Sequence, residues 1–152
     1  MRTCPVQKFI VMKILHNVQW FFANILYIIV ILFYKHMDKV EFPFDTEAFF
    51  QKCVKNKNFP RNDFEKQAIL LRLLKDFEDR KYSEQEVNEA IKKYFEDYTL
   101  LRRELINFGY MQRNPLTAEY WVVKRELTKE DIRKNTILRR HSKPYKVLEE
   151  DK

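Results

Sequence analysis

Thr99, Arg102 and Arg103 fall at spacings that place them, with Ile106, on one side of a helix. That side is turned away from an apolar stripe of Tyr98, Leu101, Leu105 and Phe108. Guanidinium groups on such a face can contact phosphate oxygens or guanine edges. A second cationic stretch, RKNTILRRHSKPYK over residues 133–146, has no acid and carries Arg139, Arg140 and Lys143. A run of this kind can follow a phosphate backbone. Duplex DNA is therefore one expected partner, with Thr99, Arg102, Arg103, Arg139, Arg140 and Lys143 as its contacts. The same residues have a plainer reading. Arg102 and Arg103 can pair with helix acids such as Glu86, Glu89 or Glu96, and residues 133–146 can be a solvated basic tail. A protein partner is then the alternative.

Other residue types argue against catalysis. Glu84, Glu86, Glu89, Glu96 and Asp97 are numerous, but no His or Cys accompanies them to suggest a general acid–base pair. His16, His36 and His141 are scattered, and Cys4 and Cys53 are far apart, so neither a zinc site nor a disulfide framework is expected. Two lone cysteines suit a reducing compartment. Gly109 is the only glycine, which excludes the Gly-rich loops that cradle nucleotide phosphates. No enzyme activity, metal or cofactor is expected. Tyr110, Tyr120 and Trp121 can form a stacking platform for bases, although aromatics of a small domain more often close its core.

The net charge of +7 is unevenly spread. Residues 1–36 carry +4 with no acid, residues 37–58 are neutral, residues 59–125 carry +1 and residues 126–152 carry +2. A nucleic-acid surface would thus have to come from local segregation of charge rather than from bulk charge.

Residues 18–34 read VQWFFANILYIIVILFY, an apolar run at the short end of a membrane span. Lys13 and Lys35 flank it on both sides and give no clear orientation. Met37 opens MDKVEFPFDTEAFF, which has the look of an ordinary soluble N-terminus. The acid-free, Phe/Ile/Asn/Lys-rich composition upstream resembles translated AT-rich DNA. A start at Met37, with a cytoplasmic product, is preferred to a single-pass membrane anchor.

The remaining chain reads as helices and a hairpin. Asp45 is placed to cap a short helix over 46–54. Asn62 with Glu65, Ser83 with Glu86, and Thr128 with Asp131 all have capping-box spacing. Phe64, Ala68, Leu71 and Leu74 mark one helix, and Val87, Ala90, Ile91, Tyr94 and Phe95 mark a second. Asp97 is placed to cap a third helix running through Phe108, with Gly109 as its C-terminal cap. Tyr110–Arg113 and Glu119–Val123 alternate as strands about an NPLTA turn. A last helix is expected from Thr128 to about Arg140, followed by a mobile tail from His141. Three helices and then a hairpin is winged-helix order, the third helix being the groove-facing one in helix-turn-helix proteins.

The run from Phe59 to Val123 also carries a family resemblance. Phe59, Pro60 and Arg61 open it. Tyr82, Glu86, Val87 and Asn88 come next, followed by Asp97, Leu101, Arg102, Arg103, Glu104 and Leu105, with Arg113, Tyr120 and Trp121 closing the set. In that order they resemble the bacterial domain-of-unknown-function 2087 family. The resemblance implies a module often found behind an arsenic-repressor-type helix-turn-helix domain in transcription regulators. Residues 1–58 are too short and wrongly patterned for such a domain. The expected fold class is mainly α with a small β-hairpin, a winged-helix-like three-helix module. The expected organisation is an apolar N-terminal segment (1–36), a short helix and linker (37–58), the module (59–125), and a short helix with basic tail (126–152).

Overall fold

The computed structural model describes residues 25–31 and 38–148. The chain divides into two units, residues 1–38 and 39–152. In the first, residues 25–31 are helical and each of their apolar side chains is exposed. The rest of the expected apolar run lies outside the described residues. No helix among the described residues is long and apolar enough to cross a membrane.

The second unit is mainly helical with a small three-stranded antiparallel sheet. Helix α1 (Thr46–Lys55) starts where Asp45 accepts from the Glu47 and Ala48 N–H groups. Helix α2 (Asp63–Leu73) starts at Asn62, whose side chain accepts from Phe64 and Glu65. Strand β1 (Tyr82–Ser83) leads directly into α3 (Glu84–Lys92) through the expected Ser83–Glu86 capping box. Helix α4 (Tyr98–Asn107) is capped by Asp97. Strands β2 (Met111–Arg113) and β3 (Glu119–Val122) form the hairpin. Helices α5 (Lys129–Lys134) and α6 (Thr136–Ser142) follow.

The three expected helices and the hairpin are present in order, and β1 is an addition. Tyr82 pairs with Tyr120 and Ser83 with Glu119, giving the sheet order β1–β3–β2. Two residues are too short for an alternating pattern to be visible in sequence.

α2 is the central helix, with Phe64, Gln67, Ala68, Ile69, Leu70 and Leu73 all buried. A helix apolar on most sides must be covered on most sides. Ile69, Leu70 and Leu73 face the main core, with Val87, Ile91, Leu101, Leu105 and Tyr120. Phe64 faces a second cluster with Val40, Leu127, Ile132 and Leu138. Gln67 lies between the helix backbone and the hairpin. It accepts from the Tyr110 hydroxyl at 2.6 Å and donates to the Asp63 carbonyl at 2.9 Å, so its buried amide is satisfied at both ends.

Packing crosses the boundaries at 59 and 125. Phe50 of α1 is fully buried in the main core, and Val40 donates its N–H to the Leu127 carbonyl at 2.8 Å. The hydrophobic unit therefore recruits the segments on both sides of the helical module.

Four local expectations are corrected. Asn62 caps α2, but Glu65 does not close a box with it; the Glu65 carboxylate accepts from Tyr145 instead. Tyr94 and Phe95 lie beyond the end of α3, which stops at Lys92. The single helix expected from Thr128 to Arg140 is two. Asn135 has extended backbone, and its side chain caps α6 by accepting from Ile137 and Leu138. The tail from His141 is docked rather than mobile over residues 141–148, and its last four residues lie outside the described ones. His141 Nδ1 accepts from the Asp63 N–H at 2.9 Å, and the Tyr145 ring lies 5.0 Å from that of Phe64. A chain that pairs polar groups and packs a half-buried aromatic ring at the start of α2 has lost the freedom expected of a tail.

Gly109 has φ +75 and follows the C-cap Phe108, as its position predicts. Lys57, Ala118 and Lys146 also have positive φ, between 51 and 54, inside the small left-handed well that L-residues tolerate.

Candidate functional site

α4 is held by ion pairs on both flanks. On one flank Glu104 forms an ion pair with Lys66 of α2 at 3.6 Å. On the other, the Arg102 guanidinium donates to Asn88 and lies 3.0 Å from Glu84 Oε1. Between the flanks, Leu101 and Leu105 point into the core with no exposure. The opposite face is open and carries Thr99, Arg103 and Asn107 at successive four-residue steps.

The expected cluster is therefore split. Thr99 and Arg103 are exposed on one face, and Arg103 forms no ion pair among the described residues. Arg102, with its side chain 13% exposed, is drawn aside into a network. Its partners are not the acids the sequence singled out. Glu86 closes the Ser83 capping box and pairs with Arg80, Glu89 accepts from Gln85, and Glu96 pairs with Lys57. Glu84 and Asn88 are four residues apart, one above the other on the face of α3 that meets α4.

Glu84 is the centre of this network. Its Oε2 accepts from the Tyr120 hydroxyl at 2.9 Å and lies 3.7 Å from Arg113 of β2. Arg102 and Arg113 also lie 5.9 and 5.7 Å from the Tyr120 ring centroid, within cation–π range. Burial first, and then the bond to Glu84, push the Tyr120 hydroxyl up from its ordinary pKa, so it remains a donor at neutral pH. Two cations and a phenol thus converge on one carboxylate, and Glu84 and Arg113 are each 40% exposed. Sequence reasoning missed Glu84, Arg113 and Tyr120 as a group because three separate elements supply them.

Arg139, Arg140 and Lys143 are exposed on α6 and the turn after it. That segment is fixed to the start of α2 by His141 and Tyr145, and no ion pair joins it to α4 among the described residues. Tyr110 and Tyr120 are buried, so the proposed stacking platform of three aromatics is not available; only Trp121 is partly exposed. Burial drives the Tyr110 hydroxyl far above its ordinary pKa. Among the described residues no group of three or more His, Cys, Asp or Glu side chains is placed to hold a metal ion.

The fold and the network define a small helical module closed by a three-stranded sheet, with an anchored Arg–Glu–Tyr cluster between its third and fourth helices. Residues 56–122 match the model of the family described as "Uncharacterized protein conserved in bacteria (DUF2087)". No significant match was found among curated proteins or solved structures.

Proposed function

We propose that the module is a non-enzymatic, winged-helix-type protein-interaction domain that does not read DNA through α4. The order α2–β1–α3–α4–β2–β3, with sheet order β1–β3–β2, supports the winged-helix assignment. In a helix-turn-helix reader, α4 would enter the groove and offer its arginines to base edges or phosphates. The observation that carries the interaction reading is the engagement of Arg102 by Glu84 and Asn88. A groove-facing helix left with one unpaired cation, beside acidic Glu84, makes a poor phosphate binder. Cys53, a buried free thiol, fits a cytoplasmic location.

A second reading, a DNA-binding transcription regulator, is favoured by the exposed Thr99–Arg103–Asn107 face and by the exposed bases Arg139, Arg140 and Lys143. The two readings separate in one experiment. Binding of the full chain to a random-sequence duplex is followed by fluorescence anisotropy from low to physiological salt. The interaction reading expects binding no tighter than ordinary non-specific association, about 10⁻⁴ to 10⁻⁶ M at physiological salt. Tighter binding with a steep salt slope, lost in the Arg102→Ala/Arg103→Ala double variant, would establish the DNA reading instead.

A further inference from the structure

We propose that Arg102, Arg113 and the Tyr120 hydroxyl form a receptor for a phosphate monoester, held occupied by the protein's own Glu84 carboxylate. This rests on the interaction reading and gives the partner its chemistry: a protein segment bearing phosphoserine or phosphothreonine.

The argument starts from the number of donors. A single glutamate at a helix start needs no more than one cationic partner, and α3 is already capped without it by Ser83 and Glu86. Glu84 instead receives two guanidinium groups and a phenol, from α4, β2 and β3. Those donors are fixed from behind. Arg102 is anchored by Asn88, and Tyr120 is 2% exposed with its ring beneath both guanidinium groups. Arg113 is different, since its 3.7 Å approach is an ion pair rather than a close hydrogen bond and its side chain is 40% exposed. The receptor is thus rigid on the α4 side and open on the β2 side.

Charge decides which ligand can displace Glu84. The carboxylate bears one negative charge and is tethered. A phosphodiester also bears one negative charge and gains nothing over it. A phosphate monoester brings about −1.5 to −2 at neutral pH and three acceptor oxygens, one for each of the three donors. The site therefore discriminates against a nucleic-acid backbone and in favour of a phosphorylated side chain. No covalent step is involved; Glu84 rotates out to solvent as the monoester takes its place.

The test uses the full chain, with inorganic phosphate and dimethyl phosphate as probes and arginine side-chain NMR shifts as the readout. Glu84→Gln should tighten inorganic phosphate binding about tenfold, and more than it tightens binding of the singly charged dimethyl phosphate. The gain should shrink toward that for dimethyl phosphate as pH falls through the second ionisation of inorganic phosphate, which lies about one unit above the value near 6 of a phosphoserine. Arg113→Gln removes the exposed cation without touching the core, and in the Glu84→Gln background it should abolish the gain. A phosphoserine peptide should then compete with phosphate, and its unphosphorylated form should not. Unchanged phosphate affinity in a folded Glu84→Gln variant, or a gain that survives Arg113→Gln, would overturn the receptor while leaving the interaction reading intact. A gain confined to duplex DNA, with a steep salt slope, would overturn both.

Discussion

The Tyr145 hydroxyl donates to the Glu65 carboxylate at 2.6 Å, joining the end of the described chain to the first turn of α2. Burial, and then this bond, push the Tyr145 hydroxyl up to about 12. Its ring stacks obliquely on Phe64 and Phe44. Tyr145→Phe should cost about 1 kcal/mol of stability through the lost hydrogen bond. Tyr145→Ala should cost about 2–3 kcal/mol, because the ring contacts go as well. Urea melts would show both losses; a mobile tail would show neither.

Leu105→Ala should destabilise the unit by about 2–5 kcal/mol, the range for buried leucine truncations. Leu105 has no exposure and holds α4 onto α2 and α3. Phe50→Ala should cost about 3–5 kcal/mol. Phe50 precedes residue 56, where the family match begins, yet it is fully buried in the same core. A single unfolding transition shifted by both substitutions would show that α1 and the module melt together. A Phe50→Ala variant with unchanged melting would place α1 outside the cooperative unit.

Gly109→Val should be damaging through the backbone alone. A Cβ at Gly109 meets nothing within 4 Å, so there is no packing conflict. The φ of +75 is the whole penalty, about 1–2 kcal/mol for an L-residue and more for a β-branched one. Gly109→Asn should recover much of that loss, since asparagine tolerates the left-handed region. Equal melting temperatures for the Asn and Val variants would count against a conformational cause.

Stability should fall in acid through Asp131. Burial works against its ionisation, but hydrogen bonds from Lys124 and from the Thr128 hydroxyl and N–H outweigh that and hold its pKa below the ordinary value of 3.8. A carboxyl lowered on folding contributes stability that is present above its unfolded pKa and disappears as pH falls through the folded one. Asp131→Ala should therefore cost about 1 kcal/mol at pH 7, as loss of a capping interaction does, and little once the pH lies below the folded pKa. Chemical denaturation of both proteins across that range gives the measurement; a pH-independent difference would assign the loss to packing.

The candidate DNA surface was only partly legible in the sequence. Thr99 and Arg103 are where helical spacing put them, because periodicity fixes which side chains leave the core stripe. The same periodicity could not say that Arg102, one step round the helix, leans onto α3. The distinction depends on which of several nearby acids the α3–α4 crossing brings within reach, and that acid is Glu84 rather than Glu86, Glu89 or Glu96.

What the sequence determined by itself was the helix starts and the order of the elements. Asp45, Asn62, Ser83, Asp97 and Thr128 all cap helices, since each cap needs only a side-chain oxygen within two or three residues of the N–H groups it serves. The helix order, the hairpin and the positive φ of Gly109 follow from the same short-range chemistry. The tertiary structure alone decided what is joined across distance. The Tyr82 pairing that completes the sheet, the docking of His141 and Tyr145 on α2, the burial of Phe50, and the convergence of Arg102, Arg113 and Tyr120 on Glu84 all link residues far apart in the chain. Composition records the presence of such groups, but the distance between them is set only when α2 is covered on every side.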